Sequence, residues 1–314
     1  MSAVRIVVIG AGHMGRLHAS KVAASPGATL AGVADIHAER AEAVGREFGA
    51  PAAVDMRELL PHADAAIVAV PTVKHFAVVQ EILARGLDVL IEKPIAATLA
   101  EADELLAQAA AAARVVQVGH LEWFNAALRA MAPVIRRPRF VEAHRMGPYP
   151  GRATDVDIVR DLMIHDIDIV QRLVGEEPES VEGIGVPVLS NQVDIANARL
   201  RFPGGCVANF TASRVSPTPM RKIRFFQADG YFSIDFLEKS AVILRRRIQP
   251  DGTPKIEVEP IHFDPEDALA AQLEDFLEAV RTRRVHSESA DAARRALRTA
   301  LRVVESLPPL DELQ

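Results

Sequence analysis

The feature that most constrains this chain is Gly10-Ala11-Gly12-His13-Met14-Gly15, directly behind the apolar run 4–9 and ahead of a helical pattern. Glycines at this spacing occur in many loops, but a strand before and a helix after are what a dinucleotide-binding turn requires. Gly10 allows the tight turn, Gly12 lets backbone approach a pyrophosphate, and Gly15 lets helix and strand pack closely. The helix N-terminus then offers free N–H groups and the positive end of its dipole to the phosphates. His13 and Met14 lie within the same loop and are read as cofactor contacts. Asp35 closes the second apolar run, 20 residues past Gly15. A carboxylate there hydrogen-bonds a ribose diol and repels a 2′-phosphate, so the expected cofactor is NAD rather than NADP. Asp35 is also suited to capping the helix that follows it.

Near-continuous apolar runs recur at 4–9, 30–34, 65–70, 89–91 and 115–118, separated by helical patterns at 38–48, 76–84 and 100–112. Strands buried on both faces of a parallel sheet read this way. Past His120 the pattern changes. Helices are expected over 125–135 and 159–174, the latter closed by Gly175. Strand-like runs follow at 181–188, 194–202, 206–213, 222–228, 232–236 and 241–246, and two helices at 265–281 and 290–307 end the chain. Turn signals at Pro203-Gly204-Gly205 and Asp229-Gly230 imply antiparallel neighbours. The fold class is therefore α/β. An N-terminal Rossmann domain with a doubly wound parallel sheet is expected over 1–120, and an α+β domain with a large open, mostly antiparallel sheet over 121–314.

A net charge of −6 over 314 residues provides no basic field for phosphate backbones, so no nucleic-acid partner is expected. The single cysteine, Cys206, excludes a disulfide within the chain and fits a reducing, cytoplasmic setting. Its surroundings read as a buried small hydrophobe. No apolar run approaches the roughly 20 residues that cross a bilayer, and the first residues lack a signal-peptide pattern.

Three further motifs follow the glycine loop in order: Val70-Pro71-Thr72 with His75, then Glu92-Lys93-Pro94, then Asp161 and His165 four apart. With these the chain resembles the Gfo/Idh/MocA oxidoreductases, the glucose–fructose oxidoreductase and inositol dehydrogenase group, over nearly its whole length. The resemblance implies that Lys93 lies beside the nicotinamide and the substrate hydroxyl, and that Pro94 follows a cis peptide bond. It implies that His165 is the general acid or base, oriented by Asp161. Val70, Pro71, Thr72, His75 and Glu92 would line the cofactor pocket. Residue chemistry agrees, because oxidising a secondary alcohol requires a base for the hydroxyl proton as hydride leaves. Asp161 and His165 share a helix face, and Asp168 three residues on joins it. The three could also be read as metal ligands, but no fourth ligand is evident and hydride transfer to NAD needs no metal, so none is expected.

Gly119-His120-Leu121-Glu122-Trp123-Phe124-Asn125 and the segment 161–168 are similar to a subgroup that acts on nucleotide-linked amino sugars. That subgroup oxidises the C3 hydroxyl of UDP-N-acetylglucosamine to a ketone that a partner aminotransferase consumes. Glu122 and Asn125, with Lys93, Asp161 and His165, would then contact the sugar. Trp123 departs from the arginine or tyrosine common there. Arg145, Tyr149 and Arg152 fall in a Gly/Pro-rich segment ahead of 159–174. Arginines there suit a diphosphate and equally suit ion pairing. An inositol or free-sugar dehydrogenase, and a non-catalytic NAD-binding regulator, are the alternatives. The outer face of the open sheet must be covered, which implies a homodimer or homotetramer.

Overall fold

The structure, a computed structural model, describes residues 3–149, 157–263, 266–284 and 288–309. The first stretch runs β1 (Val4–Ile9), α1 (His13–Ala24), β2 (Ala28–Ala34), α2 (Ala38–Phe48), β3 (Ala52–Ala53), β4 (Ala65–Val68), α3 (His75–Ala84), β5 (Asp88–Glu92), α4 (Leu99–Ala111) and β6 (Val116–Gly119). All six strands are parallel, in the order β3-β2-β1-β4-β5-β6. The order reverses between β1 and β4, and the crevice at such a reversal is where α/β sheets bind ligands.

Local chemistry sets the helix ends. Thr98 and Glu101 form a reciprocal capping box at the start of α4. Gly49 closes α2 at φ 67, a left-handed position that favours glycine.

The rest runs α5 (Ala126–Met131), β7 (Phe140–Met146), α6 (Ile164–Val174), β8 (Ser180–Val186), β9 (Ile195–Arg201), β10 (Val207–Ser213), β11 (Met220–Gln227), β12 (Gly230–Asp235), β13 (Ser240–Ile248), β14 (Pro254–Ile261), α7 (Ala268–Thr282) and α8 (Glu288–Ser306). Its eight strands form one sheet, β14-β13-β12-β11-β7-β10-β9-β8. Every pairing is antiparallel except β10 with β7.

The chain divides into two units: Met1–Leu121 with Asp267–Arg294, and Glu122–Glu266 with Arg295–Gln314. The expected division at residue 120 thus misses a return of the chain. Helix α7 belongs to the first unit because Leu273, Phe276 and Leu277 on its apolar face join Ile6, Val8, Val22 and Ile67 in one core. Each such side chain contributes roughly 1.5–3 kcal/mol when buried.

Three strands were not legible as such, the two-residue β3 among them. β14 is largely exposed and polar, and β7 alternates buried and half-buried positions while carrying Glu142, His144 and Arg145. The helix expected over 125–135 is α5 followed by a 3-10 turn over Ala132–Val134. The helix expected over 159–174 starts as a π-turn, Val159–Met163, and becomes α-helical at Ile164. Gly175 closes it at φ 78.

In the second unit Asp194 anchors the turn between β8 and β9. Its Oδ2 accepts the N–H groups of Val188, Leu189 and Ser190. Its Oδ1 accepts from the Ser190 hydroxyl and, at 2.7 Å, from Arg214 Nε. Burial opposes the charge, but these donors outweigh it and hold the carboxyl far below the usual carboxylate range. A group with a depressed folded-state pKa stabilises fully above its unfolded value, about 3.9, and loses this as pH falls towards the folded one. Asp194→Asn is expected to cost about 3 kcal/mol at pH 7, with the difference from the parent shrinking below about pH 4. Trp123, the sole tryptophan, packs against this unit's core, so its fluorescence during denaturation at pH 7 and pH 3 reads the effect. A difference that is the same at both values would refute the pH linkage.

Candidate active site

Four sequence motifs meet at the carboxyl ends of the parallel strands in the first unit. The glycine loop leaves β1, Asp35 leaves β2, the Val70–His75 segment follows β4, and Glu92-Lys93-Pro94 ends β5. Gly10 has φ 95, and a Cβ on it would lie 2.5 Å from the Ala69 carbonyl oxygen, so only glycine fits. A Cβ on Gly15 would lie 1.7 Å from the Gly10 oxygen. Gly12 is exposed, N-caps α1, and has open space where its Cβ would be. The first turn of α1 lacks intrahelical acceptors for its N–H groups. An open, side-chain-free approach to those donors fits a pyrophosphate.

The Asp35 carboxylate accepts the Ala11 N–H at 2.8 Å and the His37 N–H at 2.9 Å. Each oxygen keeps lone-pair capacity for a ribose hydroxyl. His37, not Asp35, is the N-cap of α2. His13 is exposed, Met14 and Thr72 are half-buried and Pro71 is exposed, which leaves them accessible to a ligand.

Two residues predict separable outcomes. Gly12→Ala should melt like the parent yet bind NAD at least about tenfold more weakly, because the added methyl fills the pyrophosphate approach. Gly15→Ala should lose both, since α1 must move off β1. Calorimetric titration with NAD beside thermal melting checks this, and full NAD affinity in Gly12→Ala would refute it.

His75 corrects one expectation. It is 1% exposed, with Nδ1 2.9 Å from the Pro94 oxygen and Nε2 2.9 Å from the Val70 oxygen. Burial holds its pKa below the usual histidine value. The ring clips the β4 loop to the turn carrying Lys93 instead of presenting a nitrogen to a ligand. The Lys93–Pro94 bond is cis, as the resemblance implied. Glu92 likewise faces inward: its Oε1 lies 2.7 Å from Nε2 of His18, a buried residue on α1 that the sequence reading passed over.

In the second unit Asp161 falls in the π-turn and His165 in the first turn of α6, both half-buried. The neighbouring acids are committed elsewhere. Both Asp168 oxygens accept from Arg172 Nε at 3.0 Å, and the Arg172 guanidinium lies 4.8 Å over the Trp123 ring. Asp168 is therefore a buried, ion-paired residue.

Arg145 takes the second of its two expected roles, ion pairing. It lies in strand β7, not in a loop, and points into the core. Its Nε and Nη2 bond Asp166 at 3.1 and 2.8 Å, and Nη1 bonds Glu122 at 2.7 Å. Burial disfavours its charge, but the two carboxylates outweigh this and raise its pKa above the ordinary value. A fork held by two carboxylates is not offered to a diphosphate, and Glu122 is equally engaged. Asn125 caps α5, accepting the Ala127 N–H at 3.0 Å. Tyr149 is half-buried beyond β7, and Arg152 lies outside the described residues. Cys206 is buried, and burial pushes its thiol up to about 11, which suits packing and not nucleophilic attack.

Residues 4–120 match the model of the oxidoreductase family with an NAD-binding Rossmann fold, and residues 132–233 match the GFO/IDH/MocA C-terminal domain. The chain is 39% identical over 302 residues to UDP-N-acetylglucosamine 3-dehydrogenase of Acidithiobacillus ferrooxidans, covering 96% of each. It is 32% identical over 234 residues, 68% of each chain, to scyllo-inositol 2-dehydrogenase (NAD(+)) of Bacillus subtilis. A solved structure of the Acidithiobacillus enzyme superposes with a TM-score of 0.91 at 37% identity over 100% of both chains. The glycine loop, Asp35, the cis Lys93–Pro94 turn and this full-length relatedness place the chain in the Gfo/Idh/MocA oxidoreductase family, as an NAD-dependent dehydrogenase.

Proposed function

We propose that this protein oxidises the C3 hydroxyl of UDP-N-acetylglucosamine with NAD. The observation that carries the reading is its relatedness to the Acidithiobacillus enzyme across nearly the full length of both chains. In this reading the glycine loop and the first turn of α1 hold the pyrophosphate, Asp35 holds the ribose diol, and Thr72 borders the cofactor. When bound, NAD supplies the hydride acceptor. The alcohol carbon gives up a hydride and the hydroxyl gives up a proton, leaving a ketone. The Lys93 amine takes that proton or polarises the hydroxyl, and His165, with Asp161 orienting it, is the second acid–base group.

The ketone is the substrate class a partner aminotransferase consumes. The cytoplasm, where a lone unpaired cysteine stays reduced, is the proposed compartment. Among the described residues no helix is long and apolar enough to cross a membrane. Association as a homodimer or homotetramer is supported by the outer face of the eight-stranded sheet. Val258, Leu244, Tyr231, Phe226 and Phe140 are successive cross-strand partners there, and Val258 is 62% exposed. Light scattering that returns a monomer at micromolar concentration would remove the oligomer.

Absorbance of NADH with NAD and UDP-N-acetylglucosamine, with a ketone trap to draw the equilibrium, tests the activity. UDP-glucose, free N-acetylglucosamine and myo-inositol run beside it. Turnover only with the UDP-amino sugar is expected. Turnover only with myo-inositol would move the assignment to the inositol dehydrogenases, the reading favoured by the Bacillus relative.

A further inference from the structure

His18 lies on the face of α1 that Gly15, Ala19 and Val22 turn into the core. That spacing asks for an apolar residue, and His18 is 1% exposed. A polar ring so buried needs a hydrogen-bond partner. Its partner is Glu92, with Nε2 2.7 Å from Oε1. An ionised carboxylate only accepts, so Nε2 carries the hydrogen and donates. The other oxygen, Oε2, accepts the backbone N–H of Lys93 at 3.3 Å.

The carboxylate is also confined from the side. Gly119 of β6 is the cross-strand partner of Glu92. A Cβ on Gly119 would lie 3.1 Å from the carboxylate carbon and from both of its oxygens. One carboxylate is thus held by helix α1, 74 residues away, and by the adjacent Lys93 peptide, and is bordered by the space left by Gly119. The His75 ring holds the next residue, through the Pro94 oxygen.

We propose that His18 is a positioning residue for Lys93. Through Glu92 it ties the lysine-bearing turn to α1, the same helix whose first turn faces the pyrophosphate. The cofactor's phosphates and the lysine backbone are then located by one rigid connection within the first unit. Without the bond, Oε1 loses its buried donor, Glu92 swings, and the turn follows it. The proposal rests on the assignment of Lys93 as an acid–base residue.

His18→Leu, His18→Gln and Glu92→Gln are compared in the full-length protein, with Lys93→Met as reference. A misplacement of about 1 Å costs on the order of 100-fold in rate. His18→Leu is therefore expected to lower kcat by about 10- to 100-fold, while the NAD dissociation constant, read by calorimetry, stays unchanged. His18→Gln should restore most of the loss, because its amide N–H can reach the carboxylate. A purely structural histidine would lower the melting temperature and leave kcat per folded enzyme intact.

Should His18→Leu not fold, the cycle between His18→Asn, whose shorter amide does not reach Oε1, and Glu92→Gln decides. The double variant is expected to be no worse than the poorer single, since both touch one bond. Losses that multiply independently, a parental kcat in His18→Leu, or no advantage of Gln over Leu would each overturn the proposal. Turnover surviving in Lys93→Met would instead bring down the assignment of Lys93.

Discussion

Lys93→Met is expected to lower kcat by at least about 10³-fold while leaving NAD affinity unchanged. General acid–base groups contribute on the order of 10²–10⁴, and methionine preserves bulk while removing the amine. The proposed NAD site uses other groups, namely the glycine loop, the N–H groups of α1 and Asp35. Steady-state NADH formation and calorimetric titration with NAD separate the two effects. A kcat within tenfold of the parent would show that the proton leaves by another route, with His165 the next candidate. A fall in NAD affinity matching the fall in kcat would mean instead that the lysine serves binding.

Arg145→Leu should destabilise the second unit by about 4 kcal/mol. The substitution leaves Glu122 and Asp166 without their cation, and the Asp166 side chain is only 6% exposed. Stranding a buried charge usually costs 3–5 kcal/mol, whereas replacing a whole buried ionic set with neutral groups can cost little. The triple variant Glu122→Gln, Arg145→Leu, Asp166→Asn should therefore recover much of the loss. Denaturant titration followed by Trp123 fluorescence measures both. Because Asp166 adjoins His165 at the start of α6, kcat should fall in Arg145→Leu as well. A raised Michaelis constant for the sugar nucleotide with parental stability would return Arg145 to the diphosphate role its sequence position suggested.

Arg145 also shows where sequence reading stops. Behind Phe140-Val141-Glu142-Ala143-His144 and before Gly147-Pro148, it has the composition of a solvated loop end. Alternation is present in β7, but its inward positions include an arginine, and only two carboxylates from α6 and from the segment before α5 make that burial tolerable. Neither carboxylate is near Arg145 in sequence. His75 failed as a cofactor contact for a similar reason. Its motif position was right, but its ring nitrogens face two carbonyl oxygens, and backbone partners leave no trace in a sequence. His18 did leave a signal, a histidine at an apolar helix position three residues past Gly15. The signal had no meaning until β5 brought Glu92 beside it.

By itself the sequence determined the parallel sheet, the glycine loop with its acidic partner, and the lysine turn. Each is written within a few residues, as an apolar run, a steric demand for glycine, or a Lys-Pro pair. These features act through local sterics and burial, so neighbours in sequence suffice to specify them. Tertiary structure alone decided that α7 returns to the first unit, that Arg145 is buried between carboxylates, and that His18 holds Glu92. Those depend on desolvated charges and polar groups whose cost is set by partners tens of residues away, and a buried ion is acceptable or ruinous only once its partner is in place.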